Sequence, residues 1–295
     1  MKVSISGSSG FIGSKLVQQF LDKKWSVRKI TRESIDLSES DFLSEKIEGA
    51  DVVINLAGAP VQKRWTKSRK QEILQSRIVT TNKIARAIQN SKVKPAVFIS
   101  ASAIGIYDST HFHNEESSFF AKDFLGSVCQ EWEKSAITAL GSTRVVIIRI
   151  GIVLGKEGGM IKKINPLFMH GLGGRIGNGE QMMSWIHIKD LTEAVFFLIE
   201  NNSINGIVNL VSPKPITNDY FTEVMGKILK QPTFIPVPVF GLKLIYGEAA
   251  QILITGQKVI PQKLIGSGFR YSYPSIGRAI QDIYKKNEKR KINRR

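Results

Sequence analysis

The sequence predicts an α/β fold, in which a Rossmann-like, doubly wound parallel sheet carries a small C-terminal substrate lobe. In the first half of the chain, short apolar runs typical of buried parallel strands alternate with helix-length amphipathic segments. A glycine-rich turn follows the first of these strands and opens the first helix. After Leu154, glycines and prolines interrupt the alternation, which indicates a second and smaller unit.

The alternation can be followed element by element. The chain starts with a strand that runs into the glycine turn, and the helix after it has one apolar face, formed by Ile12, Leu16, Val17, Phe20 and Leu21. Further strands are predicted at 25–31, 51–56, 96–100, 144–153 and 206–211, helices at 72–89 and 124–139, and a strand followed by a helix at 185–200. Strands and helices spaced in this way form βαβ units with right-handed crossovers.

The same pattern divides the chain into domains. We expect residues 1–155 to form a Rossmann domain, completed by about 186–211. Residues 156–185 and 212–284 are then the smaller substrate-binding lobe, because the former is glycine-rich and seven prolines fall between Pro213 and Pro274. Residues 285–295 hold seven basic residues and one acidic residue, which predicts a basic, disordered tail.

Composition sets the broad class. The chain has 295 residues, of which 42% are apolar, so it can bury a core and is not disordered as a whole. Its single cysteine, Cys129, excludes a disulfide framework and a zinc site with paired cysteines. No apolar run reaches the roughly 18–20 residues of a membrane span, and the N-terminus lacks the pattern of a signal peptide. We therefore predict a cytoplasmic protein with no membrane partner.

The formal net charge of +17 invites a nucleic-acid interpretation. The last eleven residues supply +6 of it, and the other 284 carry +11. The sequence shows no helix-turn-helix, zinc finger or basic strand with interleaved aromatic residues. We therefore expect no specific nucleic-acid partner, and an anionic small molecule instead.

The glycine-rich turn has the spacing of a dinucleotide-binding loop, G-x-x-G-x-x-G over residues 7–13. The first glycine permits the tight turn, the second lets the backbone approach a pyrophosphate, and the third allows close packing of helix and sheet. The helix N-terminus adds free N–H groups and a positive dipole. We assign cofactor binding to Gly7, Ser9, Gly10, Phe11, Ile12 and Gly13.

The end of the second strand indicates which dinucleotide is bound. Proteins that bind NAD place an acidic residue there to hold the ribose 2′-hydroxyl, whereas this chain has Arg32. A guanidinium suits a 2′-phosphate through its charge and fork geometry. The predicted cofactor is therefore NADP(H), the alternative being that Arg32 is a solvated surface residue.

These residues and several other motifs resemble the extended short-chain dehydrogenase/reductase superfamily. The match is most specific to the atypical class of NAD-dependent epimerase/dehydratase family proteins, some of which carry a cell-division-inhibitor label. The motifs span nearly the whole chain outside the tail and are Leu56-Ala57-Gly58-Ala59-Pro60, Arg64-Trp65, Ser76-Arg77 with Thr80-Thr81, 100–102 (Ser-Ala-Ser), 171–174, 177–181, 184–188 and 256–261.

The resemblance implies an NADP(H)-binding core with a small lobe. By position, it implies further cofactor contacts at Thr31, Arg32, Leu56, Ala57, Glu72, Arg77 and Val153. Gly58 is assigned to cofactor binding as well, because small residues at the carboxyl end of this strand let the backbone come close to a ligand. Glu72 and Arg77 lie five residues apart on a predicted helix, so a surface ion pair between them is the alternative. Basic residues between Lys63 and Lys70 would add to a positive rim around the cofactor.

The superfamily's catalytic Tyr-x-x-x-Lys is missing. The matching positions are Phe124 and Val128, which can neither exchange a proton nor bind ribose. Ser102 fits the superfamily's serine that steadies charge on the substrate oxygen. Tyr107 is our candidate proton donor, and Lys122, His187 and Arg175 stay open as alternatives.

Substrate binding is assigned to Arg175, Trp185 and His187, although His187 could instead hold the junction between strand and helix by a hydrogen bond. We expect no metal site, because His111 and His113 lack further ligands at suitable spacing. The predicted function is NADP(H)-dependent oxidoreduction or epimerisation of a small polar, possibly sugar-like substrate by a monomer or homodimer. The alternative is a non-catalytic NADP(H)-binding sensor or partner-binding protein.

Overall fold

The computed structural model describes residues 1–36 and 40–292 of the chain. Its strands are β1 (Lys2–Ser6), β2 (Ser26–Ile30), β3 (Val52–Asn55), β4 (Val97–Ala103), β5 (Phe112–His113), β6 (Arg144–Ile150), β7 (Ile152–Gly155), β8 (Met182–Met183), β9 (Trp185–His187), β10 (Gly206–Leu210), β11 (Ile216–Thr217) and β12 (Lys258–Val259). Its helices are α1 (Phe11–Asp22), α2 (Arg32–Asp36), α3 (Ser40–Ile47), α4 (Lys67–Asn90), α5 (Phe124–Ile137), α6 (Gly159–Met169), α7 (Ile188–Glu200), α8 (Asn218–Leu229), α9 (Val239–Tyr246), α10 (Gln251–Ile254), α11 (Gln262–Gly266) and α12 (Ile276–Ile292).

The centre of the molecule is a six-stranded sheet with the order β2-β1-β3-β4-β6-β10. Every pair of neighbouring strands in it is parallel. The predicted fold class, a doubly wound α/β sheet, is therefore confirmed. The strand order reverses between β1 and β3, and in such sheets ligands bind at the carboxyl ends of the strands beside this switch point.

The two faces of the sheet bury different helices, because successive side chains of a strand point to opposite sides. Val3 and Ile5 of β1 lie in a core that contains apolar residues of α1 and α7. Val53 and Phe98 lie in a second core with apolar residues of α3 and α4. The burial of both faces explains why the strands are almost continuously apolar in sequence.

The chain leaves this sheet at Gly151. The sequence predicts one strand over 144–153, but β6 ends at Ile150 and β7, which starts at Ile152, pairs with β9 instead. A Cβ atom at Gly151 would lie 2.4 Å from the Ser184 carbonyl oxygen and 2.6 Å from Val211 Cγ1. Only glycine fits at this crossing point, so the single predicted strand is in fact two.

A third core joins α6, α8 and α12, which lie outside the sheet layers. The end of the chain returns to the main core, however. Leu264 is buried there, and Phe269 and Tyr271 pack against it, while β12 pairs with β5. This packing differs from the predicted assignment of all of 212–284 to a separate lobe.

The backbone of α12 is helical through Ile292, which differs from the disordered tail expected over 285–295. Residues 293–295 of that tail lie outside the described residues. Within the part of the chain that the structure describes, no helix combines the length and apolarity needed to cross a membrane.

Candidate functional site

The glycine loop lies in close contact with the end of β3. Gly7 has a φ of +69°, and a Cβ atom on it would lie 2.7 Å from the Leu56 carbonyl carbon. A Cβ atom on Gly13 would lie 2.2 Å from the Gly7 carbonyl oxygen. Turn, helix and neighbouring strand thus meet backbone to backbone, which is the arrangement that lets a dinucleotide approach the main chain.

The first turn of α1 faces outward beside this loop. Gly10 is the N-cap and has no side chain to satisfy the N–H groups of the first turn, and the first turn carries no acidic residue. Ser9 and Gly10 are exposed. The free N–H groups and the positive end of the helix dipole fit the pyrophosphate that the sequence predicts here.

The end of β2 carries Thr31 and Arg32 at the same edge of the sheet, because β2 is paired with β1. Thr31 and Ser34 bond each other's backbone N–H groups at 3.2 and 3.3 Å, which fixes the start of α2. Arg32 is exposed and is followed by Glu33. The guanidinium is therefore free to meet an anion from solvent.

Asn55, which sequence reasoning missed, links β1, the loop after β3 and α4 by hydrogen bonds. Ser6 Oγ donates to Asn55 Oδ1 at 2.6 Å, and the Ala57 N–H donates to the same oxygen at 3.2 Å. Asn55 Nδ2 in turn donates to Thr81 Oγ1 at 2.7 Å. An asparagine at the end of an apolar strand was the available signal, because a buried amide requires partners.

The Arg77 side chain holds the backbone that follows β3, at Gly58 and Ala59. Both terminal nitrogens of its guanidinium donate to the Ala59 carbonyl at 3.1 Å, and a Cβ atom on Gly58 would lie 3.0 Å from its Cζ. Burial lowers the pKa of this guanidinium. The alternative of a Glu72–Arg77 ion pair is wrong, since Glu72 pairs with Arg69.

The glycine-rich segment closes over the start of α1. Cβ atoms on Gly155, Gly158 and Gly159 would lie 2.7, 2.3 and 3.3 Å from atoms of Phe11. Val153, at the start of this segment, is partly buried against the main core. Phe11 therefore contacts the segment through its side chain, while its N–H belongs to the open first turn of the helix.

A buried polar network occupies the carboxyl ends of β4 and β6. Ser102 Oγ donates to Glu133 Oε1 at 2.6 Å, and Arg149 binds the two Glu133 carboxylate oxygens through Nε and Nη2 at 2.8 and 2.7 Å. Arg149 is only 1% exposed. The hydroxyl hydrogen of Ser102 is thus committed to Glu133, and the residue itself is buried, at 2% exposure.

Tyr107 belongs to the same network, which differs from its predicted role as proton donor. The residue is fully buried, and Arg149 Nη1 donates to its hydroxyl at 2.7 Å. The hydroxyl also lies 3.0 Å from Asn209 Oδ1 and 2.9 Å from the Asn114 carbonyl oxygen. Burial raises the pKa of Tyr107. Its hydroxyl would have to leave these partners to reach a ligand, so the geometry assigns it to holding Arg149 and Asn209.

The positions that match Tyr-x-x-x-Lys are packed with apolar groups. Val128 is buried beside Ala59 and Ile73, and Phe124 meets the Trp65 ring edge-on at 5.2 Å. Cys129, the next residue, is buried as well, which raises the pKa of its thiol to about 12 and excludes a reactive thiolate. Lys122 is exposed ahead of the helix.

The three predicted substrate-binding residues have different surroundings. Trp185 is fully buried and donates to the Lys214 carbonyl at 3.2 Å. His187 is buried at the N-cap of α7, where its Nδ1 accepts from the Lys189 N–H at 3.3 Å. Arg175 is exposed and lies 3.5 Å from Asp219 Oδ1. The structure does not group them around one ligand, and His187 holds the strand–helix junction, as the alternative interpretation has it.

Among the described residues, no three His, Cys, Asp or Glu side chains are grouped so as to hold a metal ion. His111 and His113 instead contact Asp108 at 2.7 and 3.2 Å. The backbone N–H of His111, its imidazole and the backbone N–H of Thr110 hold the pKa of Asp108 well below its usual range.

Comparison with known proteins identifies the family. The sequence pattern of the NAD dependent epimerase/dehydratase family matches residues 3–210. This chain belongs to that family. A second match, to a domain of unknown function called DUF1731, covers residues 237–283. The family resemblance inferred from the motifs is therefore confirmed.

Individual members of the epimerase/dehydratase family match along the whole chain. The epimerase family protein SDR39U1 homolog, chloroplastic, of Arabidopsis thaliana is 36% identical over 300 residues, covering 96% of this chain and 86% of that protein. The crystal structure of human epimerase family protein SDR39U1 (isoform2) with NADPH has a TM-score of 0.90 at 32% identity, covering 97% and 99%. A nucleoside-diphosphate sugar epimerase from Corynebacterium glutamicum has a TM-score of 0.77 at 29% identity, covering 95% of this chain and 57% of that one.

Proposed function

We propose that this protein binds NADP(H) across the carboxyl ends of β1, β2 and β3. Gly7 meets the backbone of Leu56 with no side chain between them, beside the open first turn of α1, whose N–H groups suit a pyrophosphate. Arg32 carries the preference for the 2′-phosphate, and it outweighs the neighbouring Glu33 because a guanidinium binds phosphate through two parallel hydrogen bonds. The relative solved with NADPH supports this assignment.

Arg32→Ala tests the cofactor assignment. We expect the affinity for NADPH to fall about tenfold or more and that for NADH to change little, since a charge-assisted hydrogen bond contributes roughly 1.5–3 kcal/mol. Lys29→Ala is the matched control, because it removes an exposed positive charge from β2, three residues before Arg32. Titration calorimetry with both cofactors gives the comparison. Equal losses for NADPH and NADH would show that Arg32 does not read the 2′-phosphate.

We propose oxidoreductase or epimerase chemistry on a small polar, possibly sugar-like substrate. The bound nicotinamide would exchange a hydride with the substrate, and the protein has to orient the substrate oxygen. Ser102 carries this proposal: its hydroxyl donates to Glu133 and can accept from a substrate hydroxyl at the carboxyl end of β4. Arg149 holds the Glu133 carboxylate through two bonds, so the direction of the Ser102 hydroxyl is fixed before substrate arrives.

A second candidate function is that of a non-catalytic NADP(H)-binding sensor or partner-binding protein. One observation favours it: Phe124 and Val128 are packed against Trp65 and Ala59 where the superfamily has its catalytic pair. Neither side chain can exchange a proton. We further propose a cytoplasmic location and a monomer or homodimer, although one relative has "chloroplastic" in its name.

Deuterium transfer separates the two functions. NADPH deuterated at the nicotinamide C4 is incubated with the protein and a set of nucleotide sugars and keto sugars, and mass spectrometry follows the label. Label that enters a sugar, and fails to do so with Ser102→Ala, supports the enzyme. Ser127→Ala, on an exposed serine of α5, serves as the control. Tight NADPH binding without transfer to any of these sugars would favour the sensor.

A further inference from the structure

Helix α9 is apolar along most of its length, yet none of its residues is buried. Phe240 is 78% exposed and Leu244 is 67% exposed, and the two lie four residues apart on one face of the helix. Side chains that line a cleft are shielded by its opposite wall. At these exposures the side chains project into solvent, and a contiguous projecting apolar surface indicates an interaction site.

The apolar surface continues from α9 into the segment before it. Phe234 is 79% exposed, and Ile235 beside it is exposed as well. Residues 171–176 pack along this segment: a Cβ on Gly171 would lie 3.3 Å from Pro232, and Val237 donates its N–H to the Arg175 carbonyl at 2.7 Å. We call the exposed apolar side chains of this region the projecting surface: Leu172, Phe234, Ile235, Phe240, Leu244 and Ile245.

Positive charge surrounds the projecting surface. Residues 224–247 contain three lysines and no acidic residue, and residues 158–179 contain two lysines and an arginine, again without an acidic residue. Two of these cations have carboxylate partners, since Lys227 pairs with Glu223 and Arg175 lies 3.5 Å from Asp219. Glu248 pairs with Lys70. Among the described residues, Lys162, Lys163, Lys230 and Lys243 form no ion pair with a carboxylate. The surroundings of the apolar side chains therefore have a net positive charge.

We propose that the projecting surface docks the protein on an anionic phospholipid bilayer. Phenylalanine and leucine side chains inserted at the boundary between headgroups and acyl chains, with lysines beside them on the headgroups, form the pattern of a peripheral membrane contact. A second copy of this chain fits less well, because a symmetric contact would bring two lysine-bearing rims together. Peripheral docking needs no spanning helix. The proposal therefore departs from the sequence-based prediction of no membrane partner, which depended on the absence of a membrane-spanning run.

Co-sedimentation with vesicles tests the docking. The full chain is spun with vesicles of phosphatidylcholine alone and of an equal mixture of phosphatidylcholine and phosphatidylglycerol. We expect binding to the anionic vesicles and a loss of about tenfold or more for the double variant Phe234→Ser/Phe240→Ser, because each fully inserted phenylalanine contributes about that much. Leu140→Ser is the matched control, since Leu140 is 57% exposed in the turn after α5 and is not part of the projecting surface.

If Phe234→Ser/Phe240→Ser fails to fold, a charge variant tests the same docking proposal. Lys230→Gln/Lys243→Gln changes only exposed side chains and should lower the anionic preference several-fold while leaving NADPH affinity unchanged. Equal binding to both vesicle types, or sedimentation of Phe234→Ser/Phe240→Ser like the wild type, would overturn the proposal. So would a wild-type dimer in analytical ultracentrifugation that the double variant dissociates, because the projecting surface would then be occupied by a second copy.

Discussion

Removal of the Glu133 carboxylate should destabilise the protein more than almost any other single charge change. Arg149 is 1% exposed, and its two bonds to Glu133 neutralise a cation that has no access to water. Breaking a buried pair by deleting one partner costs roughly 3–5 kcal/mol, because the remaining charge is uncompensated. Ser102 loses its acceptor as well. We expect Glu133→Leu to lower the free energy of unfolding by this amount, about 6–20 °C in Tm at roughly 2–4 °C per kcal/mol.

The double variant Glu133→Leu/Arg149→Leu tests whether the uncompensated cation causes the loss of stability. Replacing both charges with apolar groups removes the uncompensated cation, so it should cost less than Glu133→Leu alone. Glu131→Gln on the same helix is the control; its exposed pair with Lys134 contributes about 0–1 kcal/mol. Thermal and urea unfolding followed by circular dichroism provide the measurements. A Glu133→Leu variant within about 1 kcal/mol of wild type, or a double variant that costs the full sum of both singles, would refute the electrostatic argument.

Three further predictions follow from the backbone, the buried carboxylate and the tail. Gly13→Ala should abolish NADPH binding, because its Cβ would lie 2.2 Å from the Gly7 carbonyl oxygen. Gly277→Ala is the control: a Cβ there has nothing within 4 Å, so the change should be neutral or stabilising by about 1 kcal/mol. Calorimetric titration with NADPH and thermal melting compare the two variants. Burial raises the pKa of Asp190 to about 6, above its unfolded value of about 3.9. The folded state therefore holds the proton more tightly than the unfolded state. The stability that the protonated Asp190 contributes is lost as pH rises from about 3.9 to about 6. Tm measured across that window should show Asp190→Asn gaining on wild type with rising pH; a constant difference would contradict the shift. Deletion of 285–295 should leave NADPH affinity unchanged in calorimetry, and a large loss would show that the tail belongs to the site.

The sequence was sufficient to predict the sheet and the position of the glycine loop, because both depend on local patterns. A run such as 51–56 indicates a buried strand by its apolar residues alone, and the spacing of Gly7, Gly10 and Gly13 reflects contacts within a few residues. The break at Gly151 could not be predicted. Its cause is the carbonyl of Ser184, which no local pattern around the glycine reveals.

The interior of the site could not be predicted for the same reason. The sequence predicts Tyr107 as proton donor because it follows the strand with the serines, yet its environment is set by Arg149 and Asn209, which lie 42 and 102 residues further along the chain. The sequence predicts no role for Glu133, because a glutamate on a helix is usually exposed to solvent. Only the pairing of β4 with β6 brings Ser102 beside Arg149.

The return of the chain end to the central sheet has a consequence for synthesis on the ribosome. Asn209 Nδ2 donates to the Ile260 carbonyl, the Tyr271 hydroxyl donates to the Val211 carbonyl, and Asp190 accepts the N–H groups of Ser272 and Tyr273. A nascent chain that stops before residue 258 lacks these closing contacts, so the first 210 residues should emerge without a complete core. We expect native structure to form late, after nearly the whole chain has left the exit tunnel.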